Sequence, residues 1–135
     1  MILLTVLFLT LSWGCMKRDQ VVLVVDDAPS VREYVKTVLQ EEGFEIIEAS
    51  DGIDGYNLIQ EFGSGIALVI TDVIMPKMDG VSLAESVREL FPTMPVLLMT
   101  GYASTHRLPI ESVVLQKPFS PDALVEAVRK VIEKT

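Results

Sequence analysis

Side chains that commonly carry catalysis or cross-linking are scarce in this chain. Its 135 residues include one cysteine, Cys15, and one histidine, His106. A single cysteine excludes an internal disulfide and any metal site built on several thiolates. Basic residues are few: 11 Lys and Arg stand against 19 Asp and Glu, a formal net charge of −8. That balance argues against a nucleic-acid-binding surface, which needs clustered Lys and Arg. The one tryptophan is Trp13, and no internal repeat or low-complexity tract occurs. What remains is ordinary globular composition, half hydrophobic and 22% charged, and long enough for one domain with a core.

The first fifteen residues carry no charged side chain. They are short for a spanning helix, which takes about 20 apolar residues, and contain Thr5, Thr10 and Ser12. Three readings stand. Met16-Lys17-Arg18-Asp19-Gln20 has the look of a natural amino terminus, so residues 1–15 read as a start placed too early. As an anchor, the segment has Lys17 and Arg18 after it and no basic residue before it, which leaves the following domain in the cytoplasm. A cleaved signal would want a basic n-region, which is missing, and a lipoprotein reading through Cys15 is countered by Ser12. The division expected is a 1–15 extension and a 16–135 domain.

From Val21 the chain alternates. Val21–Val25 is a β-branched run ended by Asp26-Asp27. Pro29 opens a helix with Val31, Val35, Val38 and Leu39 on one side, and Gly43 ends it. Phe44–Ala49 is a second strand; Ser50 and Asp51 are caps for a helix with Tyr56, Ile59 and Phe62 along one side. Ile66–Thr71 is a third strand, apolar without a break from Ile66 to Ile70, followed by Asp72 and by a loop punctuated by Pro76 and Gly80. A helix over Val81–Phe91 turns Leu83, Ala84, Val87 and Leu90 inward. Val96–Met99, ending at Thr100, and Val113–Gln116, ending at Lys117-Pro118, are the last strands. Ser120 caps a final helix begun by Pro121, with Leu124, Val125, Val128, Val131 and Ile132 as its stripe. Such alternation predicts an α/β fold, a parallel sheet with helices on both faces.

In a parallel sheet the strand ends share one edge, so Asp26, Asp27, Asp72, Thr100 and Lys117 converge. Three carboxylates repel unless a cation joins them. Oxygen donors without His or Cys point to a hard divalent ion, Mg²⁺ most naturally, with positions left for water and a phosphoryl group. Lys117 adds a charge and Thr100 a short donor. This is the equipment for phosphoryl transfer to a carboxylate.

The motifs V-V-D-D, T-D-V-I-M-P-K-M-D-G, M-T-G and L-Q-K-P-F, in this order and register, resemble the receiver domain of bacterial two-component response regulators over about residues 19–135. The resemblance implies a doubly wound, CheY-like (flavodoxin-like) (βα)5 fold of strand order 2-1-3-4-5. It implies Asp72 as phosphoacceptor, loaded from a phosphohistidine of a sensor histidine kinase or phosphotransfer protein. Asp27 and Asp72 would bind Mg²⁺ directly, Asp26 through water, and the Ile74 backbone carbonyl would add a ligand. Lys117 would contact the phosphoryl group, Thr100 would swing to it, and Lys117-Pro118 is a position where the family often has a cis peptide. A cytoplasmic signalling module is implied rather than an enzyme, monomeric or weakly dimeric, with Mg²⁺-dependent self-phosphorylation and autodephosphorylation, and with no nucleic-acid partner.

Two departures stand out. The family carries Tyr or Phe three residues before the lysine, where this chain has Val114. Only 17 positions separate Thr100 from Lys117, so residues 103–112 must hold the whole fourth helix, with Pro109 interrupting it. Ile74 and Tyr102 flank the site at positions that in the family set the lifetime of the phosphoryl group. His106 reads as a surface residue. The alternative function is an interaction module of the same fold that works without phosphorylation. A haloacid-dehalogenase-like phosphatase would want D-x-D after strand one, and a flavodoxin a Ser/Thr/Gly-rich phosphate loop there; D-D fits neither.

Overall fold

The computed structural model describes residues 20–101 and 113–134. Strands β1 (Val21–Val25), β2 (Glu45–Ala49), β3 (Ile66–Asp72), β4 (Val96–Thr100) and β5 (Val113–Gln116) form one sheet in the order β2-β1-β3-β4-β5. Every pairing is parallel. Helices α1 (Pro29–Glu41), α2 (Gly52–Phe62), α3 (Gly80–Leu90) and α4 (Pro121–Lys134) connect or follow the strands.

Burial on both faces explains the unbroken apolar runs. Alternate residues of a strand point to opposite sides. Val22, Val24, Leu68, Ile70, Leu97 and Met99 therefore pack with Val35 and Leu39 of α1 and Leu124, Val128 and Val131 of α4. Leu23, Val25 and Val69 face the other way, onto Ile59 of α2 and Leu83 and Val87 of α3. The expected doubly wound arrangement is present, with β1 and β3 central and covered twice.

The helix ends follow local chemistry. Pro29 takes the first position of α1, where its missing N–H costs nothing, and Gly43 follows its end at φ 95°. Asp51 accepts the Asp54 N–H at 2.9 Å and caps α2. Ser120 Oγ accepts the Ala123 N–H at 3.1 Å at the start of α4. Asp79 caps α3 through the Ser82 N–H at 2.7 Å, so Gly80 is the first residue of the helix and not part of the loop expected there.

Some boundaries and burials differ from expectation. β2 begins at Glu45, β3 includes Asp72, and α3 runs Gly80–Leu90. Leu90 and Phe62, expected on the inner faces, are 42% and 48% exposed. Each is the last residue of its helix: helical phase decides which side a residue takes, but not whether the partner layer extends that far. Val125 and Ile132 are half-buried flanks of the α4 stripe, whose centre is Leu124, Val128 and Val131. The 1–15 extension with Cys15 and Trp13, the expected helix within 103–112, Tyr102, His106 and Pro109 lie outside the described residues. Among the described residues, no helix is long and apolar enough to cross a membrane.

Truncating a fully buried residue of the central strand tests this packing. Leu68→Ala should cost about 2–5 kcal/mol in chemical denaturation, whereas Leu90→Ser should stay within about 0.5 kcal/mol of the parent.

Candidate metal and phosphoryl centre

The sheet register builds the site. Val25 pairs with Ala49 and Thr71, Asp72 with Met99, and Thr100 with Gln116. The ladder continues one residue beyond these pairs: the N–H groups of Asp26, Val73 and Lys117 donate to the carbonyls of Ala49, Met99 and Thr100 at 3.2, 2.9 and 2.8 Å. Asp26, Asp72, Thr100 and Lys117 are thus held on nearly rigid backbone at one edge.

Asp26 is fully buried, Asp72 is 9% exposed and Thr100 1%; Asp27 is exposed. Asp26, Asp27 and Asp72 each offer a carboxylate oxygen within 4.8 Å of the others, a spacing that could hold one metal ion. Lys117 Nζ bridges two of them, 2.8 Å from Asp26 Oδ2 and 3.2 Å from Asp72 Oδ2. Three negative charges and one positive leave the cluster two charges short of neutrality, which suits a divalent cation. An all-oxygen set with so few protein donors fits Mg²⁺, which keeps several waters. All four charged residues anticipated for the site are brought together, with Thr100 on the same edge. Ile74, two residues past Asp72, is 44% exposed, and the Lys117-Pro118 peptide is cis.

Burial, and after it the Asp26 charge, push the Asp72 carboxyl above its ordinary value, with Lys117 opposing both. For Lys117, burial would lower the ammonium, but the hydrogen bond and charge of Asp26, joined by Asp72, outweigh it and raise it.

Supporting residues escaped the sequence reading. Arg32 on α1 donates from Nη1 to the Asp26 carbonyl at 2.6 Å and pairs with Glu48 at 3.4 Å. Asp26 Oδ1 accepts the Ala28 N–H at 2.9 Å, and Thr71 Oγ1 donates to the Asp72 carbonyl at 3.0 Å. Gly80 donates its N–H to the Val73 carbonyl at 2.8 Å. A Cβ on Gly80 would lie 2.0 Å from the Asp72 carbonyl oxygen, so no other residue fits there. Beside Lys117, the Tyr34 hydroxyl donates to the Phe119 carbonyl at 2.8 Å and ties the β5–α4 connection to α1. Only the D-G pair before α3 hinted at any of these contacts. Val114, where the resemblance expects a ring, is 36% exposed on edge strand β5.

A family model described as the response regulator receiver domain matches residues 22–129. The chain is 33% identical over 118 residues to the sensor kinase CckA of Brucella abortus, covering 84% of this chain and 12% of that protein. It is 35% identical over 118 residues to the transcriptional regulatory protein SrrA of Staphylococcus aureus, covering 84% and 48%. It therefore spans less than half the length of either curated relative. Among solved structures, a response regulator receiver domain protein from Clostridium thermocellum superposes with a TM-score of 0.78 at 28% identity, covering 85% of this chain and 95% of that one.

The raised Asp72 value has a stability consequence in metal-free protein. A carboxyl whose folded pKa is raised stabilises the fold while protonated, below its ordinary value of 3.8, and that contribution is lost as pH rises through the folded value. With chelator at neutral pH, Asp72→Asn should therefore melt above the parent, and the gap should close in acid below that ordinary value. Equal melting temperatures at neutral pH would contradict this electrostatic picture.

Proposed function

This chain belongs to the response regulator receiver domain family, and from that premise we propose that it accepts a phosphoryl group on Asp72 in a two-component signalling pathway. The observation that carries the proposal is the bridging of Asp26 and Asp72 by Lys117 beside a third carboxylate, Asp27. The donor is a phosphohistidine of a sensor histidine kinase or a histidine phosphotransfer protein.

Asp72 attacks phosphorus with a carboxylate oxygen, the P–N bond to the donor histidine breaks, and the electron pair leaves with that ring nitrogen; the other ring nitrogen of the donor carries a proton throughout, so the leaving group is a neutral imidazole. The product is an acyl phosphate on Asp72. Lys117 already lies against Asp72 and neutralises charge on the transferring group, as phosphoryl transfer requires. Thr100, on the neighbouring strand end, supplies a hydroxyl donor to the phosphoryl oxygens. Held by Asp26, Asp27, Asp72 and the Ile74 carbonyl, Mg²⁺ would supply the remaining positive charge. The burial that holds Asp72 keeps water away from one side of the new bond. On this reading the chain is a signalling module, and its self-phosphorylation and autodephosphorylation are single events on its own side chain. The site belongs in the cytoplasm, where such kinases present their phosphohistidines.

Incubation of the full chain with acetyl phosphate should give one phosphoryl adduct by intact mass, dependent on Mg²⁺ and absent in Asp72→Asn. No adduct on folded protein would shift the assignment to an interaction module that works without phosphorylation, a reading favoured by the exposed Val114 and by the short span between Thr100 and Lys117. The exposed Ile74 side chain cannot hydrogen-bond an attacking water, so the acyl phosphate should be persistent. Ile74→Asn should shorten its half-life several-fold; an unchanged half-life would rule this account out.

A further inference from the structure

Residues 73–79 connect Asp72 to α3, and within them lies Lys77 at φ 69°, the one non-glycine residue with positive φ among the described residues. Lysine has no intrinsic preference for that region. The Met78 N–H donates to the Pro76 carbonyl at 2.8 Å around it, which makes a three-residue turn with positive central φ, a rare and strained form. Strain of this kind persists where the surroundings over-determine it, and it gathers at functional sites.

The surroundings here are specific. Lys77 Nζ lies 3.4 Å from Asp51 Oδ2; the Asp51 side chain is 8% exposed and the Lys77 side chain 67%. Asp51 cannot move to follow the lysine, because its other oxygen caps α2 through the Asp54 N–H. That hydrogen bond, with Lys77 adding to it against burial, holds the Asp51 carboxyl below its ordinary value. Next to Asp51, a Cβ on Gly52 would lie 2.2 Å from the Met78 carbonyl oxygen, so the turn rests directly on the first residue of α2. The far end of the connection is seated by Gly80 on the Asp72 carbonyl. Between these two seats lies Ile74, whose carbonyl the proposed function assigns to the metal.

We propose that Lys77 is a positioning residue: its ion pair with Asp51 holds the left-handed turn that glycine would adopt unaided, and thereby fixes the Ile74 carbonyl relative to Asp72. The inference rests on the receiver reading of Asp72 and Ile74. An ion pair whose lysine stands in solvent adds little to global stability, so the effect is local, on the register of a metal donor, where displacements of about 0.5 Å matter.

The test is Mg²⁺ binding to the full chain by titration calorimetry without phosphodonor, alongside the melting temperature. Lys77→Met keeps the strain and loses the pair; it should bind Mg²⁺ about tenfold more weakly, at the low end for an outer-shell partner. Lys77→Gly also loses the pair but removes the strain, and it should bind within about twofold of the parent. Asp51→Asn retains a capping side chain; it should weaken binding in the parent but not in Lys77→Gly, the non-additivity of coupled sites. Parent-like affinity in Lys77→Met overturns the inference, as does an equal loss from Asp51→Asn in both backgrounds. Each of those outcomes leaves the receiver reading standing. A parent chain that takes neither Mg²⁺ nor a phosphoryl group from acetyl phosphate overturns both.

Discussion

Repulsion among carboxylates at one edge of a parallel sheet is the constraint on which the rest of this structure depends. Asp26 and Asp72 end adjacent strands and are both buried, a placement that would be costly for two charges in a poorly polarisable interior. Lys117 answers it from the far side of the site, touching both acids at once. Its own backbone is held by the Thr100 carbonyl, and the chain beyond it is tied to α1 through Tyr34 and Phe119. The first and last strands of the pathway are thus joined through an ammonium group rather than through hydrogen bonds of the sheet, since β1 and β5 are not neighbours.

The remaining elements serve to keep that edge in order. The two hydrophobic layers press α1 and α4 on one face and α2 and α3 on the other, so strand ends cannot shift without repacking buried side chains. Arg32 binds the Asp26 backbone from α1, and Thr71 binds the Asp72 backbone from its own strand. Charge left over after Lys117 has been counted is what makes the cluster receptive to a divalent cation.

The sequence made the fold and the principal site residues readable for a simple reason. Strands β1, β3, β4 and β5 are short apolar runs that end abruptly in polar residues, so their ends and the site residues are the same positions: Asp26, Asp72, Thr100 and Lys117. Parallel topology then collects them without any knowledge of distances. The supporting contacts were not readable in that way. Arg32 and Thr71 act through backbone carbonyls, and no spacing rule connects them to the acids they hold. Gly80 looked like loop punctuation because its role is a close approach to the Asp72 carbonyl, which exists only once helix and strand are packed. Phe62 and Leu90 had the right helical phase, but phase carries no information about where the opposing layer stops.

Surface connections ordinarily tolerate insertions and deletions. The one following Asp72 is different, because both of its ends rest on backbone with no room for even a methyl group: Gly80 on the Asp72 carbonyl, Gly52 beneath the Met78 carbonyl. Its span is therefore fixed by contact at two points, as a bridge deck is fixed by its abutments. Adding or removing a single residue would unseat one end, and it would also turn the buried Val73 and Met75 out of the core. For this connection a change of length is a graver event than a substitution at one of its exposed positions.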